Sequence, residues 1–218
     1  MATPSFHSLE VTRTARVATI GPSDAPEWWM GLHGYGQRAA DFVEAFDPVA
    51  GADRYVVAPE ALSRFYVDGL EAHEEVGASW MTRANRDNEI DDYVSYLDAT
   101  VRHLRPDGHV PSTSVLGFSQ GAATASRWAL LGDTTIDRLV LWGGAPAHDL
   151  DLSAHADRLR TMKLTIVVGT KDPHVTDDQR AAVRRRLDEH DIPATIRTFE
   201  GGHRLDDDVL KTVLLGGS

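Results

Sequence analysis

The sequence predicts an α/β fold with a mostly parallel central sheet and helices on both faces. Two observations carry that expectation. Short apolar runs alternate with longer amphipathic stretches along the chain, the order of strand and covering helix. The last five of those runs are short and rich in Val, Ile and Leu, as strands covered on both faces are. At 218 residues, with no linker-like shift in charge or glycine content, the chain is long enough for one core and is expected to form a single domain over residues 1–218.

In chain order, the predicted strands cover residues 9–20, with room there for a hairpin, then 27–32, 54–58, 114–118, 138–142, 164–168 and 194–199. Between them the apolar spacing turns helical. Ala39, Phe42, Val43 and Phe46 fall at i, i+3, i+4 and i+7; Ile90, Tyr93, Val94 and Leu97 repeat the pattern, and Val101 and Leu104 extend it. A further helix starts at Thr176, where Gln179 completes a capping-box pattern, and its buried side falls on Val183 and Leu187. Arg184, Arg185 and Arg186 on that helix read as a solvated face rather than an anion site. Asp206, Asp207 and Asp208 diverge around a helix, which disfavours a shared metal; acids in a first turn before Val209 instead offset the helix dipole.

Composition narrows the chemistry. A formal net charge of −11 argues against a nucleic-acid backbone or an anionic membrane as the main partner and favours a neutral or cationic substrate. No run of residues approaches a membrane span, and the N-terminal stretch lacks the basic-then-apolar order of a signal peptide, so a cytoplasmic protein without membrane insertion is expected. Cysteine is absent, which excludes disulfides, thiolate metal sites and a cysteine nucleophile. Covalent chemistry must come from a hydroxyl, an amine or a carboxylate.

Residues 115–123, VLGFSQGAA, place a serine between two glycines where an apolar strand hands over to a helix. A nucleophilic serine needs its hydroxyl exposed on a rigid backbone, and a sharp strand-to-helix turn provides both if the residues two before and two after are small. Gly117 and Gly121 occupy those positions, and Ala122, Ala123 and Ala125 let the helix pack close to the sheet. The free amides of that helix start point toward an anion beside Ser119. Ser119 is therefore a candidate nucleophile.

A serine hydroxyl needs a histidine base, and the base needs a carboxylate to hold its tautomer. In this kind of fold they follow in the chain order Ser, acid, His, each in a loop after a strand. LTIVVGTKDPHV supplies a strand, a terminating glycine and then Asp172; ATIRTFEGGHRL supplies the last strand, two glycines and then His203. The remaining histidines fit less well. His7, His73, His103, His109, His148, His155 and His190 lie in polar or loop contexts that suit a surface, and His174 belongs to the acid loop, with a role at the pocket rim as the lesser alternative. Asp177 and Asp178 sit where acids serve the start of the helix capped by Thr176.

An oxyanion formed at the substrate carbonyl also requires backbone amides aimed at it. One is expected from Gln120, the residue after the nucleophile, and one from a loop after an early strand. EWWMGLHGYGQRAADF offers that loop: an apolar strand, then His33-Gly34-Tyr35-Gly36, then an amphipathic helix. His33 itself reads as structural.

With these residues in place, the sequence resembles the α/β-hydrolase superfamily, and within it the phospholipase/carboxylesterase group that includes acyl-protein thioesterases and bacterial carboxylesterases. The resemblance spans roughly residues 25–215 and rests on LHGYG, GFSQG, the Asp172 loop and GGH at 201–203. It implies an α/β-hydrolase fold with Ser119, Asp172 and His203 as the triad, the amides of Tyr35 and Gln120 as the oxyanion hole, and no cofactor or metal. Tyr35 stands where that group commonly has leucine, which keeps the amide and changes the adjoining wall. Residues 63–83 lack the wording that would assign protein depalmitoylation; Phe65, Tyr66, Trp80 and Met81 in that segment are candidate substrate contacts, with core packing the equal alternative. Dienelactone hydrolase-like enzymes share the architecture but use the cysteine this chain lacks.

The expected activity is that of a serine carboxylesterase acting on a small ester through an acyl-enzyme. Lysophospholipase, thioesterase and peptidase activities are open to the same triad, and a binding module on the hydrolase fold is the alternative of a different class. Short connections between strands leave no room for a large cap domain, so short to medium acyl chains are expected.

Overall fold

The computed structural model describes residues 3–105 and 112–216. Nine strands and seven helices follow one another among the described residues. β1 (Val17–Ile20), β2 (Glu27–Leu32), α1 (Ala39–Glu44) and β3 (Arg54–Pro59) lead to a ribbon of β4 (Ser63–Tyr66), α2 (Gly69–Ala72) and β5 (Val76–Ser79). α3 (Arg86–Leu104), β6 (Thr113–Phe118), α4 (Gln120–Leu131), β7 (Arg138–Trp142) and α5 (Leu152–Arg160) come next. β8 (Lys163–Gly169), α6 (Asp177–Asp188), β9 (Ala194–Phe199) and α7 (Asp207–Leu215) complete the order.

Seven strands form one sheet in the order β1-β3-β2-β6-β7-β8-β9, parallel throughout except for the antiparallel edge strand β1. Strand side chains alternate faces, and the core divides accordingly. Trp28, Met30 and Leu32, with Leu139, Leu141, Leu164, Ile166 and Val168, pack under α3, α4, α5 and α6. Trp29, Leu116, Val140, Trp142 and Val167 face α1 and α7 through Phe42, Val43, Leu210 and Val213. Burial on both faces is why the central strands read as unbroken apolar runs.

Six of the seven predicted strands match their bounds or extend by one or two residues, while the first is much shorter than expected. Of residues 9–20 only Val17–Ile20 is strand, because β3 offers partners only from Val56 to Pro59. Leu9 and Val11, which looked like strand residues, are 85% and 76% exposed. β9 departs from the expectation of cover on both faces: it is an edge strand, with Thr195, Arg197 and Thr198 exposed. The β4–β5 ribbon was not anticipated; its pairs Ser63↔Ser79 to Tyr66↔Val76 join residues of little apolar periodicity. α5 was also missed, although Leu152, Ala156 and Leu159 form its buried face and Asp151 caps it.

Helix ends follow the local chemistry. Thr176 and Gln179 form the reciprocal capping box at α6, at 3.2 and 2.8 Å. Asp206 caps α7, with Asp207 and Asp208 in its first turn. Arg184 and Arg185 are solvated as expected, but Arg186 is half-buried and donates to the carbonyls of Pro146, Ala147 and Leu150. It ties α6 to the loop after β7. Among the described residues no helix is long and apolar enough to cross a membrane.

Candidate active site

At the end of β6 the chain reverses through Ser119, whose φ of 54° and ψ of −117° lie in a region that costs an L-residue about 1–3 kcal/mol. The conformation is held because the Ser119 N–H donates to Trp142 O at 2.8 Å and α4 starts at the next residue. The flanking glycines are required by close approach. A Cβ at Gly117 would sit 2.1 Å from Gly121 O, and one at Gly121 would sit 2.0 Å from Leu32 O.

The loops after β8 and β9 meet this turn. Thr170 donates to Phe199 O and Lys171 to Gly201 O, each at 2.8 Å, which locks the two loops together. Asp172 is buried, and its Oδ1 accepts the His174 N–H at 2.8 Å. Its Oδ2 lies 2.7 Å from His203 Nδ1, and His203 Nε2 lies 2.8 Å from Ser119 Oγ. A carboxylate only accepts, so Nδ1 carries the ring proton and Nε2 is left to accept from the hydroxyl. Phe118 and His174 flank the imidazole at 4.9 and 4.7 Å, and Trp142 Nε1 donates to Arg204 O at 2.9 Å, fixing the loop behind it. A serine so paired can give up its proton as it attacks an electrophile.

The turn at 33–36 lies against the same serine: a Cβ on Gly34 would stand 3.2 Å from Ser119 Cβ. His33 is fully buried under it, Nδ1 donating to Gly34 O at 2.8 Å and Nε2 accepting the Ala61 N–H at 3.1 Å. Burial pushes its pKa down, outweighing the Gly34 hydrogen bond and the attraction of Glu60. The imidazole is a neutral strut. Gly34 N–H is taken by Gln37 Oε1 at 2.7 Å and Gly36 N–H by Ala78 O at 2.9 Å. The N–H groups of Tyr35 and Gln120 have no protein acceptor among the described residues.

Of the segment 63–83, Phe65 is brought to the Tyr35 ring, with centroids 5.1 Å apart. Tyr66 lies on the opposite face of the ribbon, 4.8 Å from the His73 ring. Trp80 is buried and donates from Nε1 to His33 O at 2.8 Å, bracing the turn from below. Met81 is half-buried; its carbonyl accepts from Gln120 Nε2 at 3.0 Å and its sulfur lies 3.5 Å from Arg127 Nη1. His7, His73, His103 and His148 are exposed and His155 and His190 half-buried, while His109 lies outside the described residues.

Two features were not read from the sequence. The Gln120 side chain joins the Ser119 turn to residues 79–81, and its motif position gave the only signal. Beneath, buried Arg127 pairs with Asp149 at 2.7 Å and with the Tyr93 hydroxyl at 3.2 Å, and Asp149 also pairs with Arg86 at 2.5 Å. Burial raises the Asp149 carboxyl, but its two arginines outweigh that and hold it well below the usual range. Burial drives Tyr93 up to about 12, so it stays a neutral hydroxyl. Among the described residues no group of three or more His, Asp or Glu is placed to hold a metal.

Solved structures share this architecture. Acyl-protein thioesterase 2 of Zea mays superposes with a TM-score of 0.72 at 16% identity, over 92% of this chain and 96% of that one. A carboxylesterase of Mesorhizobium loti gives 0.68 at 19% identity, over 94% of each chain. Esterase PE8 gives 0.67 at 22% identity, over 92% of this chain and 96% of that one. At such identities the likeness is one of fold, the α/β-hydrolase fold. No curated protein sequence matches the chain. A family model described as serine hydrolase (FSH1) does match, over residues 30–206, a span that contains Tyr35, Ser119, Gln120, Asp172 and His203. With most of its length matched by that model, the chain belongs to the serine hydrolase (FSH1) family.

Proposed function

We propose that the protein is a serine carboxylesterase that hydrolyses short- to medium-chain carboxylic esters, with Ser119 as nucleophile, His203 as base and Asp172 as the orienting acid. The observation that carries this reading is the unbroken hydrogen-bonded line from Ser119 Oγ through the His203 ring to buried Asp172, at 2.8 and 2.7 Å. Family membership supports serine hydrolase chemistry, and the esterases and thioesterase of the same fold support an acyl substrate.

Ser119 Oγ attacks the ester carbonyl carbon as its proton passes to His203 Nε2. The carbonyl oxygen becomes an oxyanion and accepts from the N–H groups of Tyr35 and Gln120; one such donor is worth about 10²–10³ in rate. His203 then protonates the departing alkoxide, leaving an acyl-Ser119 ester. Water enters by the same route, gives a proton to His203 and releases the acid, and Ser119 Oγ recovers the proton. Asp172 stabilises the imidazolium through both halves. Phe65 and Tyr35 wall the acyl side, and among the described residues the single α/β-hydrolase domain carries no large cap over it. Lysophospholipids and thioesters pass through the same steps, and pocket shape selects among them.

The test is hydrolysis of p-nitrophenyl esters from acetate to palmitate, wild type beside Ser119→Ala. Activity that peaks at short chains and vanishes in the variant is expected. A folded wild type that neither turns over any ester nor labels with a fluorophosphonate probe overturns the reading. Labelling without ester turnover moves the substrate to a thioester or amide.

A further inference from the structure

The far end of the sheet carries a groove of about 480 Å³ that the reaction does not use. Ser119, Asp172 and His203 follow the C-terminal ends of parallel strands, whereas this groove lies where β7, β8 and β9 begin, between the sheet and α7. Leu210, Val213 and Leu214 of α7 pack on Val140 and Val167, and Thr212, Val213 and Gly216 form the helix side of the groove over the first residues of β8 and β9.

The charge of the groove runs against that of the molecule. The chain has 33 acidic and 22 basic side chains, yet among the described residues the groove is lined by Arg138, Lys163 and Arg197 and by no carboxylate. Strand register sets their arrangement. Arg138 pairs with Lys163, Thr165 with Thr195, and Val167 with Arg197, and register partners in parallel strands share a face. Two threonine hydroxyls therefore stand between a lysine at one end and an arginine at the other.

Among the described residues none of the three cations is held in an ion pair. Lys163 and Arg197 enter no ion pair among the described residues. Arg138 is half-buried, held by a 2.9 Å bond to Val213 O and stacked 4.8 Å over the Trp29 ring. The carboxylate that attracts it, Glu27, is itself paired with Arg54 at 2.8 Å. A fixed cation, two exposed ones and two hydroxyls match the oxygens of a phosphate, and the apolar part of the lining suits an organic group.

We propose that this groove binds a small organic phosphate: Lys163 and Arg197 grip the phosphate oxygens, the hydroxyls of Thr165 and Thr195 donate to them, and Arg138 adds its field from the groove floor. Its volume lies within the range of about 300–1,000 Å³ usual for small-molecule sites. The site stands apart from the esterase reading and survives or fails without it.

The experiment follows backbone amide resonances of the full chain during titration with phenyl phosphate and, separately, inorganic phosphate, at low and physiological salt. Saturable shifts centred on Thr165 and Thr195 are expected, weaker at higher salt, at least tenfold weaker in Lys163→Glu/Arg197→Glu, and largely kept in Arg197→Lys. Both substituted side chains are exposed, so the double variant is expected to fold and to keep wild-type ester hydrolysis. Shifts absent, spread over the surface, or unchanged in the double variant overturn the site. Equal affinity for the two probes overturns the organic-phosphate assignment.

Discussion

Gln120 donates from Nε2 to the carbonyl of Met81 at 3.0 Å, so the residue that follows Ser119 is tied to the segment that follows β5. The same side chain accepts the Trp80 N–H at 3.1 Å, and Trp80 in turn holds His33 O at 2.8 Å. One amide thus sets the distance between the two turns proposed to cradle the oxyanion. Gln120→Ala leaves the backbone N–H in place but frees the turns from each other. A fall in kcat of about tenfold is expected, with fluorophosphonate labelling retained, for net losses of about 1 kcal/mol per hydrogen bond. Gln120→Glu, which cannot donate to Met81, is expected to fall at least as far.

Asp172 is buried and serves His203 Nδ1, so its replacement tests the imidazole's tautomer rather than its position. Asp172→Asn is expected to lower kcat by about 10⁴ while leaving KM and thermal stability near wild type. Activity within tenfold of wild type would remove Asp172 from the proposed triad.

Gly121 packs its Cα against the end of β2, and an added Cβ would stand 2.0 Å from Leu32 O, a backbone atom that cannot swing aside. Gly121→Ala is therefore expected to destabilise the fold by at least about 1–3 kcal/mol. A melting temperature equal to wild type would show that the turn relaxes, and that the glycine is not needed for packing.

Asp98 is a structural carboxylate distant from the reaction. It accepts from Trp128 Nε1 at 2.8 Å, from Asp133 N–H at 2.8 Å and from the N–H and hydroxyl of Thr134 at 3.1 and 2.7 Å. Burial raises its pKa, but these donors outweigh burial and leave it lowered. A lowered folded pKa adds stability above the unfolded aspartate value, about 3.9, and that stability is lost as pH falls through the folded value. The stability gap between wild type and Asp98→Asn is expected to be wide at pH 7 and to narrow below about pH 4. Urea melts at both ends of that range check it, and a gap independent of pH would contradict the assignment.

How much was legible depended on whether the signal was local. The strands at 27–32, 138–142 and 194–199 are found at those bounds, because a short apolar run between turn residues carries its own period. Residues 9–20 misled for the complementary reason: Leu9 and Val11 have strand-like composition, but pairing requires a partner, and β3 ends at Pro59. Ser119, Asp172 and His203 stood out by chain order and by following strands, and they are the three side chains that the structure joins by hydrogen bonds.

The sequence by itself determined the alternation of strands and helices, the glycine spacing around Ser119 and the loops from which an acid and a base are presented, since each is written in residues close along the chain. Only the tertiary structure decided that the Trp80 indole and the Met81 carbonyl brace the turns, that Arg127, Asp149 and Arg86 knit α4, the loop after β7 and the start of α3, and that a cationic groove opens beside α7. Those relationships join side chains far apart in sequence. Their energies depend on burial and distance, which no local pattern of residue types records.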